Sequence, residues 1–182
     1  EAFEHARKTL PRHSFEEQFL GRAVIRSGLV YSSFKEDIHV LPKDKLPPLD
    51  ILRRSTFGVG IDTGNNFAAI LAAMTPEGKA YVIGEVFEVG QNTRQNAAAI
   101  VDMIAKTLDG IVQSPKDAVA LWVVDVNSQN ILDLEEALEL SFFYQKYDVL
   151  ESIGTLDVRI GAGEVYISDE CDFLLNEMRS YR

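Results

Sequence analysis

Between Thr56 and Val124 the chain sets out three apolar segments in a row, then a helical segment, then a fourth apolar segment. Thr56 to Ile61 and Ala80 to Val89 read as strands, the latter rich in β-branched residues. Phe67 to Met74 also reads as a strand, although its alanines would suit a helix. Pro76-Glu77-Gly78-Lys79 is a turn between the second and third. Asn92-Thr93 opens a helix to about Leu108, with Ala97, Ile100, Val101, Ile104 and Leu108 on one face. Val119 to Val124 is the fourth strand. A doubly wound sheet would alternate strand and helix from its start. Strands joined by short turns pair antiparallel, and a strand entering through a helical crossover pairs parallel. The first strand is therefore expected at the centre, with the fourth parallel beside it.

Two aspartates stand where apolar strands run out. Asp62 closes Phe57-Gly58-Val59-Gly60-Ile61 and is followed by Thr63-Gly64-Asn65-Asn66. Asp125 closes Ala118 to Val124 and is followed by Val126-Asn127-Ser128. If the two strands are neighbours, the aspartates converge. Close carboxylates repel unless a cation lies between them, and hard divalent ions such as Mg²⁺ are held in this way. A two-metal site would put the carboxylates about 4–8 Å apart, given ions about 3.5–4 Å from each other. The bland alternatives are a strand-to-turn Asp bonded to its own loop at Asp62, and a turn residue before a helix capped by Asn127 or Ser128. Asp62-Thr63-Gly64-Asn65 also fits the phosphate-binding hairpin of actin-like and sugar-kinase domains. Asp125, Asn127, Gln129, Ile131, Asp133 and Glu136 fall at calcium-loop spacing, but Asn130 stands where glycine is required and no amphipathic helix precedes the loop.

Glu85, inside the third strand, reads as an exposed residue or a third ligand. Cys171 reads as a small core residue at the start of the last helix. As a single cysteine it excludes an internal disulfide and fits a reducing compartment. His5, His13 and His39 lack metal-ligand spacing and read as surface residues. The net charge of -10 argues against a general nucleic-acid-binding surface. The balance is uneven: residues 1–55 hold 10 Lys/Arg against 8 Asp/Glu, and 56–182 hold 8 against 20. Arg53-Arg54 and Lys43/Lys45 are the densest basic positions. No apolar run approaches the roughly 18 residues of a membrane span, so a soluble chain is expected. The first residue is Glu, which reads as an excised fragment.

The remaining segments are read as follows. Residues 3–27 are helical with a break at Pro11. Leu29 to Phe34 is a strand, and Asp37 to Leu41 a second short one. Leu41-Pro42 through Asp50 is an extended linker. A helix covers about Ser128 to Leu140, Val165-Tyr166-Ile167 is a strand, and a last helix starts near Asp169.

The order β-β-β-α-β-α-(β)-α is that of an RNase H-like α/β domain: a mixed sheet with antiparallel hairpin strands and a parallel crossover strand, flanked by helices. The ordered pieces resemble the C-terminal nuclease domain of bacteriophage terminase large subunits. Phe15-Glu16-Glu17-Gln18-Phe19-Leu20-Gly21, then Gly28-Leu29-Val30-Tyr31, resembles the segment entering the nuclease from the packaging ATPase. Val59 to Gly64 resembles the strand with the first catalytic Asp, and Glu77 to Glu85 the hairpin after it. Trp122-Val123-Val124-Asp125 resembles the strand with the second acidic residue. Cys171 to Glu177, followed by Tyr181, resembles the segment near the domain's end. The resemblance spans roughly 14–182.

The resemblance implies a metal-dependent endonuclease cutting concatemeric double-stranded DNA in a bacterial host's cytoplasm. It implies two Mg²⁺ or Mn²⁺ ions held by Asp62, Asp125 and a third carboxylate, one activating water and the other stabilising the leaving oxygen. Implied partners are the terminase ATPase domain, the small terminase subunit and the portal. Residues 1–28 would be the connector from the ATPase domain and 29–182 the nuclease domain. The family's third carboxylate sits in an Asp-His-x-x-Asp-Ala-like segment after the terminal tyrosine. The chain ends at Arg182 without one, so the domain is expected to lack its C-terminal end. Asp169, Glu170 and Asp172 are acidic and nearby. Two other readings remain: an actin-like or sugar-kinase-type ATP-binding domain fragment, and a non-catalytic RNase H-like binding module.

Overall fold

The structure, a computed structural model, describes residues 30–63, 66–124, 131–143 and 149–180. In chain order it forms α1 (Glu36–His39), β1 (Val40–Leu41), a 3₁₀ turn (Lys43–Lys45), α2 (Leu49–Leu52), β2 (Thr56–Thr63), β3 (Asn66–Met74) and β4 (Ala80–Val89). There follow α3 (Thr93–Thr107), β5 (Val119–Val124), α4 (Ile131–Leu138), α5 (Val149–Gly161), β6 (Val165–Ser168) and α6 (Asp172–Ser180).

Six strands make one sheet in the order β1-β6-β4-β3-β2-β5. β2 pairs antiparallel with β3, and β3 with β4. β5 returns through α3 to lie parallel beside β2. These are the neighbours and directions expected from the sequence. At the other side, β6 and β1 are both added in parallel. The β3–β4 turn needs glycine: Gly78 has φ +82°, and its N–H donates to Thr75 O at 2.9 Å.

Alternation divides the sheet into two faces. Phe57, Val59 and Ile61 of β2 point with Ala69, Leu71 and Ala73 of β3 towards α3 and α4, joining Ile100, Ile104, Leu134 and Leu138 in one core. Val82, Ile160, Ile167, Cys171, Leu175 and Met178 build a second core under α5 and α6. α3 can sit close to β4 because position 84 is glycine. A Cβ there would lie 2.9 Å from Met103 Sδ and 2.9 Å from Thr107 Oγ1. Its N-terminus is closed by a capping box, Asn92 accepting from Gln95 N–H and Gln95 accepting from Asn92 N–H.

The edges of the chain depart from expectation. Residues 30–34 are a turn, not a strand: Phe34 N–H donates to Tyr31 O, and Ser33 is drawn inward by Asp157. Leu29 and the helix and connector expected over 1–28 lie outside the described residues. Residues 37–41 are not a single strand; one helical turn ends at His39 and only Val40–Leu41 pairs. The proline-rich stretch 41–50 is not simply extended. Pro48 sits at the start of α2 and accepts from the N–H groups of Ile51 and Leu52, which suits a residue with φ fixed near the helical value. His39 is buried, 4% exposed, rather than a surface residue. Its Nδ1 accepts from Lys35 N–H at 2.9 Å and its Nε2–H donates to Ile160 O at 2.9 Å. Helix α5 was not expected at all.

Candidate functional site

Asp62 is the seventh residue of β2 and is exposed. It lies on the face opposite the larger core, because Ile61 before it is buried there. Its row runs to Ala68 on β3 and then to Phe87 on β4. Directly beside it, Ile61 pairs with Val124, the last described residue of β5. Asp125 follows Val124 in sequence and lies outside the described residues, as do Gly64, Asn65 and 126–130. The expected carboxylate spacing rests on those residues.

Asp62 supplies a hard oxygen donor at the end of an interior strand, which suits Mg²⁺ or Mn²⁺. Among the described residues, no three His, Cys, Asp or Glu side chains form a group that could hold a metal ion. Two of the acidic candidates have other engagements. Glu170 accepts from Lys43 Nζ at 3.1 Å. Glu85 is half-buried rather than exposed, and both its oxygens are taken by backbone: Oε1 accepts from Phe173 N–H at 2.9 Å and Oε2 from Leu174 N–H at 3.0 Å. Two residues along the strand, Phe87 stacks on Phe173 with ring centroids 4.3 Å apart. None of these contacts is legible locally, since 88 residues separate Glu85 from Phe173.

Arg53 and Arg54 make contacts within the fold. Arg53 donates to the carbonyls of Gly110 and Ile111 past the end of α3, and Arg54 faces Asp50 at 4.0 Å. At the mouth of the other face, Thr63, Phe67, Asn92, Thr93, Asn96 and Leu134 line a cleft of about 320 Å³. No described helix is long and apolar enough to cross a membrane.

Cys171 is fully buried, as expected of a core residue. Burial pushes its thiol up to about 12, helped by the negative charges of Glu85, Glu170, Asp172 and Asp169. A thiol raised in this way stays protonated in the folded chain. Its contribution to stability is intact below the unfolded value near 9 and is lost as pH rises towards about 12. Cys171 is therefore expected to resist iodoacetamide at pH 8 in the native protein and to react once the chain is unfolded in denaturant. Mass spectrometry of both samples measures this, and rapid native alkylation would contradict the burial.

No model of a known protein family matches this chain, and no curated protein matches it. Solved structures do. The large terminase of a thermophilic bacteriophage is similar over 98% of this chain, with 20% identity and a TM-score of 0.71. The P22 large terminase nuclease domain is similar over 86% of this chain and 80% of its own length, with 12% identity and a TM-score of 0.64. The fold is that of a terminase nuclease domain. A Mn-soaked human cytomegalovirus terminase nuclease domain shares it over 79% of this chain and 83% of its own, with 11% identity and a TM-score of 0.55. The chain spans 43% of the thermophilic phage's large terminase. The likeness covers the sheet that carries Asp62, the hairpin of β3 and β4, and the parallel β5. The mixed sheet, with antiparallel hairpin strands and a parallel crossover strand flanked by helices, is the architecture expected from the order of the strands.

Proposed function

We propose that this chain is the nuclease domain of a viral DNA-packaging terminase large subunit, and that it hydrolyses phosphodiester bonds in double-stranded DNA with Mg²⁺ or Mn²⁺. The observation that supports this best is the pairing of Ile61 with Val124. Each residue immediately precedes an aspartate, so Asp62 and Asp125 each follow one member of a register pair on parallel neighbouring strands. Continued alternation along β5 would turn Asp125 to the face that bears Asp62, since Val124 is buried on the opposite one. Asp62 and Asp125 would hold the ions. When bound, these would supply Lewis-acid activation of water and of the leaving oxygen.

The chain's own contribution is rigidity and orientation. Asp62 is held by its pairing with Ala68 on β3, and the residue before it pairs with Val124 on β5. An acidic surface does not by itself attract DNA, so the duplex would be held by other parts of the terminase, with the site reading phosphate geometry rather than bases. The ATPase domain, the small subunit and the portal are the proposed partners, and the cytoplasm of an infected bacterium the proposed setting.

The test is metal removal. Supercoiled plasmid incubated with the full-length gene product and Mn²⁺ should give nicked and linear DNA, and excess EDTA should stop it. Cutting that persists in EDTA would refute the metal requirement. A folded protein that cuts in neither metal would refute the nuclease reading.

A further inference from the structure

β4 is paired on both sides for only part of its length. Its whole run, Ala80–Val89, pairs with β3, but β6 reaches only Ala80, Tyr81 and Val82. Just past that point β4 carries an extra residue: Leu71 faces Gly84 and Ala72 faces Val82, so Ile83 bulges. A bulge bends its strand and can end pairing. β6 stops at Ser168 and the chain turns into α6. From residue 83 to 89, the outer edge of β4 therefore has no strand beside it among the described residues. Alternate N–H and C=O groups on such an edge point outwards and can take up another strand.

The edge opens into a groove of about 400 Å³, walled by residues 83–88 and rimmed by Ala99, Asp102, Met103 and Lys106 of α3 and by Glu170. Its two sides differ. Gly84 and Val86 face α3 and the larger core. Glu85 and Phe87 face α6. Side chains of an added strand would alternate between these sides. One set would meet Val86, Ala99 and Met103, and the other Glu85 and Glu170. Four carboxylates, Glu85, Glu88, Asp102 and Glu170, line the groove against the single ammonium of Lys106, which Asp102 already holds at 2.6 Å. The edge from 83 to 89 spans about 23 Å.

We propose that the open edge of β4 is a docking site for an extended segment of a partner protein, one that alternates apolar and basic residues and joins the sheet as a strand beside residues 83–89. Main-chain hydrogen bonds hold the strand, and the acidic groove selects its Lys or Arg side chains. The site is independent of the nuclease reading and does not involve Asp62.

The probe is a synthetic peptide, Val-Lys-Val-Lys-Val-Lys-Val, blocked at both ends and added to the full-length gene product. At saturating peptide, amide exchange over 83–89, followed by mass spectrometry, should slow about five- to tenfold, the scale of a net hydrogen bond. Two N-methylated versions, altered at the Val or at the Lys amides, test the backbone. One set of amides faces β4 and the other faces solvent. One version should therefore bind at least about tenfold more weakly than the parent and the other within about threefold. A peptide with Glu in place of Lys should also bind at least about tenfold more weakly. Unchanged exchange over 83–89, equal binding by both N-methylated peptides, or undiminished binding of the Glu peptide would each overturn the proposal. So would slow exchange there without any peptide. A slowing that grows with protein concentration would assign the edge to a second copy of the chain, and one that does not would assign it to another segment of the same gene product.

Discussion

Asp62→Ala in the full-length gene product is expected to lower Mn²⁺-dependent plasmid nicking by more than about a hundredfold, since even outer-shell partners of a metal are worth about 10–100-fold. Asp125→Ala should do the same. The thermal cost should be small for Asp62. Its side chain is exposed, and its row neighbour on β3 is an alanine. Exposed substitutions usually fall within about 0.5 kcal/mol, which for a chain of this size is a shift of less than about 2 °C. Under the proposed convergence with Asp125, removing the Asp62 carboxylate would also relieve repulsion in the metal-free protein. Nicking and melting are to be measured on the same preparations. Retained nicking would put the metal site elsewhere. Lost nicking with a collapsed melting transition would mark Asp62 as structural.

The sheet was legible because its signals are local and periodic. β2 and β3 alternate buried and open positions, β4 is rich in β-branched residues, and the turn between β3 and β4 carries Pro76 and Gly78. α3 was legible from Asn92 and its apolar spacing, though Met103 rather than Val101 completes the buried face. α5 was not, for a physical reason. Its inward face places Asp157 where an apolar residue belongs, so the period of 3.6 is broken by a charge. Gly154, Gly161 and several β-branched residues lower its propensity further. The turn at 30–34 failed for the same cause seen from the other side. Ser32 and Ser33 look like strand residues until the carboxylate that holds them is known.

The candidate site divides in a similar way. Asp62 stands out in the sequence because a charge at the end of an apolar strand is a local anomaly, and β2, which carries it, lies beside β5. Glu85 reads from the sequence as exposed or a ligand; it is half-buried and accepts from amides 88 and 89 residues away, and no pattern along one strand reports that. His39 reads as a surface residue because nothing near it in sequence signals the hydrogen bond between its Nε2 and Ile160 O. What sequence alone conveys well is periodicity and local incongruity. Polar contacts that close between distant elements are invisible to it.

Asp157 offers the opposite case to Asp62, and a comparison of the two separates a structural carboxylate from the proposed catalytic one. Asp157 is 2% exposed. Its Oδ1 accepts from Ser33 N–H at 2.9 Å, and its Oδ2 from the hydroxyls of Ser32 and Ser33 at 3.3 Å each. One turn further along α5, Ile160 O accepts from His39. Together these bonds latch residues 32–39 onto α5. Asp157→Ala would leave the buried Ser33 N–H and hydroxyl without an acceptor. Hydrogen bonds to a charged group contribute about 1.5–3 kcal/mol and an orphaned buried donor costs a similar amount, so the expected loss is about 3 kcal/mol. For a domain of this size that corresponds to a fall in melting temperature of about 6–12 °C. Asp157→Asn keeps an acceptor for Ser33 N–H and should lose about a third as much. Below its new melting temperature the Ala variant should still nick DNA, because the latch is on the β6 side of the sheet and β4 and β3 stand between β6 and β2. Calorimetry and nicking on one preparation decide the matter. A melting point within about 2 °C of wild type, the range of an exposed substitution, would mean that the turn is not held by Asp157. Lost nicking in a folded, stable variant would bring Asp157 into the chemistry.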